Sequence, residues 1–319
     1  MTELTLTESR EPATSAARGV SPADEATHQQ ARELDDRFTS DRGAVWRRRV
    51  RGIARRPSVL LAVAWLALMF AAALAPQWLA PGDPLTGVPS EHLQSPSPAH
   101  WFGTDQTGRD LFTRVIHGTA LTLMSSLLAV AVGLIIGSVL GIVAGFVGRW
   151  VDDIIMRIAD VLLSIPAILL SLAFIAALGV GTLNVAIAVG IGSIASVSRI
   201  MRSEVLRVRS SLYVEAAHAS GNTWLRTLRR HVLPNSLGPV IVLAALEFGT
   251  AILAVSALSF LGYGAQPPTP EWGTLVAGGR DYLATAWWLT TLPGLTIVLT
   301  VLSANRLARA VDAEGVRNR

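Results

Sequence analysis

"EAAHASGNTWLRTLRRHVLPNS", residues 215–236, interrupts a chain otherwise suited to hydrocarbon. It carries three arginines, two histidines and a glutamate between two long apolar runs. Such an insert has to leave the bilayer, because an ionised side chain at the centre of a membrane helix costs about 2.5–3.5 kcal/mol. Its pattern reads as two helices around a glycine. "LYVEAAHAS" has helical character, and Gly221 suits a left-handed position at its end. Asn222 or Thr223 then caps a second helix, with Trp224, Leu225, Leu228 and Val232 on one face. Arg226, Arg229 and Arg230 fall largely on the other, and Pro234 breaks the pattern just before the next apolar run. The insert is an elbow tied to membrane helices at both ends. From residues alone it is a helix on anionic lipid or an ordinary loop.

Around the elbow the chain is 51% hydrophobic and 16% charged over 319 residues, with a mean hydropathy of +0.45. Those values exclude an ordinary soluble domain. Six apolar segments reach or approach the about 18 residues that cross a bilayer as a helix: 59–80, 119–147, 154–178, 183–200, 237–261 and 286–308. The fourth is the shortest, and its end is expected to continue as a helix into "MRSEVLRVRSSLYV". The expected fold is an all-α integral membrane protein of six transmembrane helices. Its parts are a disordered tail at 1–45, a basic juxtamembrane segment at 46–58, the first transmembrane helix at 59–80 and an outer segment at 81–118. A five-helix core at 119–310 follows, containing the loop 201–236, and a tail at 311–319.

Six crossings put the N-tail, the second loop, the fourth loop and the C-tail on one side. These hold 24 of the 27 basic residues, all arginine, leaving Arg109, Arg114 and Arg280 for the other. The positive-inside bias makes both termini and the elbow cytoplasmic. Trp46 and Trp150 fall at the expected inner edge, and Trp78, Trp287 and Trp288 at the outer one. Cysteine and lysine are both absent. Without lysine no P-loop can form, so any ATP used is expected to sit, with its magnesium, on another polypeptide. The scattered histidines suggest no metal site, no H-E-x-x-H or G-x-S-x-G pattern suggests an enzyme, and no nucleic-acid partner is indicated.

Within the spans, Gly133, Gly137, Gly141 and Gly145 are four apart and line one helix face, allowing another backbone to approach closely. That partner is a helix of this chain or a second subunit. Pro166 and Pro293 are expected to kink their helices. Asp160 follows Arg157 at ion-pair spacing. Glu247 lies near the middle of the fifth span with Ala244, Thr250 and Ala251 on its face. It reads as a structural carboxyl, or as a pathway or proton site. Thr107 and Asp110 have capping-box-like spacing, predicting a short interfacial helix before the second span.

In residue order the elbow resembles the loop motif of permease subunits of ABC importers. The match is Glu215, Ala216 and Ala217, three residues, Gly221, nine residues, a variable apolar slot, one residue, then Leu233 and Pro234. His231 fills the slot often held by isoleucine. "HWFGTDQTGRDLFTRV" (100–115) and "LSFLGYGAQPPTPEWG" (258–273) are similar to the C-type permeases of dipeptide, oligopeptide and nickel importers. The resemblance covers roughly residues 47–310. It implies a type I permease fold whose elbow is a coupling helix docked on one or two kinds of cytosolic ABC ATPase subunit. It also implies a homologous permease completing the pathway, an extracytoplasmic substrate-binding protein, and a multi-pass place in the bacterial inner membrane. Peptides are the expected substrate, with nickel complexes as an alternative. A self-sufficient secondary transporter using Glu247 is the rival from another class.

Overall fold

The computed structural model describes residues 57–212 and 233–316, with Val214, Thr223 and Arg226. The expected tail at 1–45 lies outside the described residues, as do all but the last two residues of the basic segment at 46–58 and most of the elbow. Helices dominate, and among the described residues the extended pairing is one isolated bridge between Thr104 and Asp110.

Helix α1 spans Pro57–Leu74 and stops where Pro76 opens the four-residue α2, Pro76–Leu79, after the non-helical Ala75. The first apolar segment is thus a helix and a separate turn, broken where a proline restricts the residue before it. Helix α3, Leu111–Val147, is capped by Asp110, whose side chain accepts from the Thr113 amide at 2.7 Å. No separate helix lies between Thr107 and its first residue. Its first two turns occupy that place, and the Thr107 hydroxyl donates to Asp105 instead. At 37 residues α3 is about 55 Å long, well beyond the about 30 Å hydrocarbon core.

A reversal at Gly148 (φ 71°) and Arg149 (φ 55°) leads into α4, Arg149–Ser164. Pro166 does more than kink the third apolar segment. Ile165 takes an extended conformation before it, and α5, Ala167–Leu178, leaves at 97° to α4. Helix α6, Thr182–Arg209, continues well past its apolar part, as its sequence predicts. Helix α7 is Leu233–Phe260 with Pro239 inside it, α8 is Trp272–Gly279, and α9 is Trp288–Val316 with Pro293 inside it. Among the described residues five helices are long and apolar enough to cross a membrane: α1, α3, α6, α7 and α9. The broken α4–α5 pair forms the sixth segment.

Helices α3 and α6 form the most extensive pair, while α7 packs on α3, α6 and α9. At one end of the bundle, buried Trp272 gathers α1, α3, α7, α8 and α9 into a single apolar cluster with Met69, Leu111, Ile252 and Val301. At the other end Phe146, Met201, Val205 and Val240 close a second cluster.

Candidate functional site

A cavity of about 250 Å3 opens between α3, α5, α6 and α7, with Leu163 of α4 at its rim. Apolar side chains such as Val130, Ile168 and Val189 form most of its wall. The polar groups are the hydroxyls of Ser171, Ser193, Ser196 and Thr250, together with Glu247. Glu247 therefore faces this cavity with Thr250 and Ala251, while Ala244 packs aside against Ala129 and Val130. The Thr250 hydroxyl donates to the Glu247 carbonyl at 2.9 Å and lies 3.4 Å from its carboxylate.

The wall formed by α3 and α6 is stiff for a reason visible in the glycines. A Cβ at Gly133 would meet Ser193; at Gly137, Val197; at Gly141, the Ser198 carbonyl; at Gly145, the Arg202 carbonyl and Val205. All four positions face α6 of the same chain, and a side chain there would hold the backbones apart. Polar ties also hold α6 to α3 and α4. Arg202 engages both oxygens of Asp152. Arg209 Nη1 donates to the carbonyls of Gly145 (3.3 Å) and Phe146 (3.1 Å), satisfying the open end of α3. Asp160 pairs with Arg199 across helices, not with Arg157.

At the far end, residues 81–110 and 262–287 form a polar cap. Asp105 is buried and accepts from the Thr107 and Arg109 amides, the Thr107 hydroxyl and Arg109 Nε at 2.7 Å. Burial pushes its carboxyl up, but these hydrogen bonds outweigh it and hold the pKa below the ordinary carboxylate value. Arg114 is 5% exposed. It reaches Asp105 at 3.6 Å and donates to the carbonyls of Pro84 (2.9 Å) and Pro268 (3.2 Å). Both arginines act as internal struts of the cap. Trp288, expected at the membrane edge, is buried, and its indole donates to Thr104 O at 3.3 Å. Trp78 and Trp150 are exposed, and Trp46 lies outside the described residues.

Glu271 and Trp272 escaped the sequence reading. Glu271 is fully buried and caps α8, accepting from Gly273 N (3.1 Å) and Thr274 N (3.2 Å). Trp272 Nε1 donates to Val115 O at 3.0 Å, and its amide donates to the Thr122 hydroxyl at 3.2 Å. Burial raises the Glu271 pKa despite the amides it accepts from. An acidic cap before "WGT" in a short apolar stretch was the available signal.

Of the elbow residues, Glu215, Ala216, Ala217 and Gly221 lie outside the described residues, while Leu233 and Pro234 open α7. The segment's ends are placed: α6 stops at Arg209 and α7 starts at Leu233.

Residues 137–314 match a family described as binding-protein-dependent transport system inner membrane component. The dipeptide transport system permease protein DppC of Alkalihalophilus pseudofirmus is 44% identical over 69% of this chain and 72% of its own. The di/tripeptide transport system permease protein DppC of Pseudomonas aeruginosa is 44% identical over 75% and 81%. The glutathione transport system permease protein GsiD of Shigella flexneri is 41% identical over 82% and 86%. Among solved structures, an inward-facing methionine ABC transporter, MetNI, superposes with a TM-score of 0.50 at 20% identity. The match covers 62% of this chain and 96% of that one.

Proposed function

Because the chain belongs to the family of binding-protein-dependent transport system inner membrane components, we propose that it is one of two permease subunits forming the membrane pathway of an ATP-driven peptide importer. One observation carries the reading. The two helices that contribute most of the cavity's polar wall, α6 and α7, are those attached to the two ends of the elbow. A push on residues 210–232 would act directly on the walls of the cavity.

The proposed cycle uses no catalytic residue of this chain. ATP and magnesium bind to separate cytosolic subunits. Their closure moves the elbow around Glu215, Ala216, Ala217, Gly221, Leu233 and Pro234, and α6 and α7 pass that motion to the cavity. A binding protein delivers substrate at the cap formed by residues 81–110 and 262–287, on the outer face of the inner membrane. The arginine distribution supports this orientation, with both termini cytoplasmic. Peptides as cargo rest on relatives at 41–44% identity named for dipeptides, di/tripeptides and glutathione.

The test is co-purification of the solubilised protein, wild type beside Glu215→Lys, with uptake of a labelled dipeptide measured in the same cells. Wild type should retain a P-loop ATPase and a second six-span permease, and the variant should lose the ATPase and the uptake while still inserting. Uptake that survives ATP depletion but collapses with an uncoupler would overturn the reading.

A further inference from the structure

Glu247 is the only charged side chain among the described residues lining the cavity. None of the ion pairs among the described residues includes it. Its polar surroundings are unusual in one respect. The serine hydroxyls nearby have backbone carbonyls to donate to, Ser171 to Ala188 O (3.4 Å), Ser193 to Gly190 O and Ser196 to Ser193 O, while the Thr250 hydroxyl reaches both the Glu247 carbonyl and its carboxylate. Hydroxyls committed as donors present lone pairs to whatever else they meet. The cavity is thus a set of acceptors around a carboxylate. With no cationic side chain among its described lining residues, the cavity complements a group with three donors and a positive charge, an ammonium.

Resting on the importer reading above, we propose that Glu247 is the counter-charge for the ammonium groups of the passing peptide. The pathway then favours cationic over zwitterionic peptides and zwitterionic over anionic ones. Every free peptide carries an α-ammonium that can engage Glu247. A lysine side chain adds a second such group, and a glutamate side chain adds a carboxylate that Glu247 repels. The volume of about 250 Å3 lies near the lower end of small-ligand pockets, about 300 Å3, enough for one end of a short peptide.

The experiment uses proteoliposomes holding the whole transporter with its own binding protein, supplied with labelled Ala-Ala, Ala-Lys and Ala-Glu at saturating concentration. The same binding protein serves every variant, so a change in the ratio of rates belongs to the permease. Wild type should import Ala-Lys faster than Ala-Glu relative to their affinities for the binding protein. Glu247→Gln should shrink that ratio by about 10-fold or more, the effect of losing one hydrogen bond to a charged group. Glu247→Asp should preserve the preference, and Glu247→Lys should reverse it. An unchanged ratio in Glu247→Gln overturns the proposal, including the case where all three rates fall in parallel, which marks a structural carboxyl. Wild type importing none of the three overturns the importer reading itself, and the proposal with it.

Discussion

Replacing Gly141 by alanine tests the seam between α3 and α6 most sharply. The added Cβ would lie 2.5 Å from the Ser198 carbonyl oxygen, 2.7 Å from Met201 Cβ and 3.0 Å from the Arg202 amide. Two of those atoms are backbone, so no rotamer change relieves the contact. Carbon atoms pack at about 3.5–4.0 Å, so the helices must separate locally by about 1 Å. A gap of about 0.5–1 Å forfeits roughly a quarter to a half of each dispersion contact along it. The four glycines span about 18 Å of helix, so many contacts weaken together. Overpacking a tight site costs about 1–3 kcal/mol, and the backbone obstruction places Gly141→Ala near the top, at about 3 kcal/mol. On the scale of about 2–4 °C per kcal/mol, the midpoint should fall by about 6–12 °C. The assay is thermal unfolding of the purified protein in detergent, followed by tryptophan fluorescence. Val139→Ala on the same helix is the control, since Val139 is 54% exposed. A Gly141→Ala midpoint within about 2 °C of wild type would refute the account of the seam.

Other outcomes follow from the cap and the bend. Asp105→Asn leaves Arg114 buried beside a neutral side chain and should cost about 3–5 kcal/mol, read as a lower unfolding midpoint; a loss under about 1 kcal/mol would mean the cluster is not a buried ion pair. Glu271 has a folded pKa above its ordinary value of 4.5, so the folded state holds a proton that the unfolded state releases. Its contribution is full below 4.5 and is lost as pH rises toward the folded pKa. The midpoint of Glu271→Gln relative to wild type should therefore increase with pH through that window, and a pH-independent difference would contradict this. Pro166→Ala removes the restriction on Ile165 and should straighten α4 into α5, displacing Leu163 and Ser171. Uptake should fall without loss of the protein from the membrane, and normal uptake would show that the bend does not shape the cavity.

The apolar segments, the extension of α6 and the glycine face were legible because each rests on a local period or run. What was missed depended on residues far apart in sequence. Arg157 was the obvious neighbour of Asp160, but that acid pairs with Arg199 of α6. A proline signals a break without giving its angle, 97° at Pro166. Arg109 and Arg114 looked like outer-face charges, since nothing local shows that Asp105 folds back to meet them. Trp288 has the amphipathic character of an interfacial residue, and its burial follows only from where Thr104 arrives. Glu247 was recognised as exceptional, but the acceptor-rich wall around it needs α5, α6 and α7 together.

Helix α6 is joined to α3 at close range, the glycines of α3 resting on Ser193, Val197, Met201 and Val205 and on the α6 backbone, and such a joint has little slack. A displacement applied at Arg209 would arrive at Gly192 and Ser196 about 20–25 Å away with little taken up by rotamer changes. Helix α7 has no matching splint, and Pro239 removes one of its backbone hydrogen bonds between Leu233 and Glu247. The two walls of the cavity therefore differ in compliance, one a strut and the other a hinged flap. On the importer reading, α6 would carry a push as a rigid body while α7 bends, so the distance between the Glu247 carboxylate and the serines of α6 would change as the cavity opens.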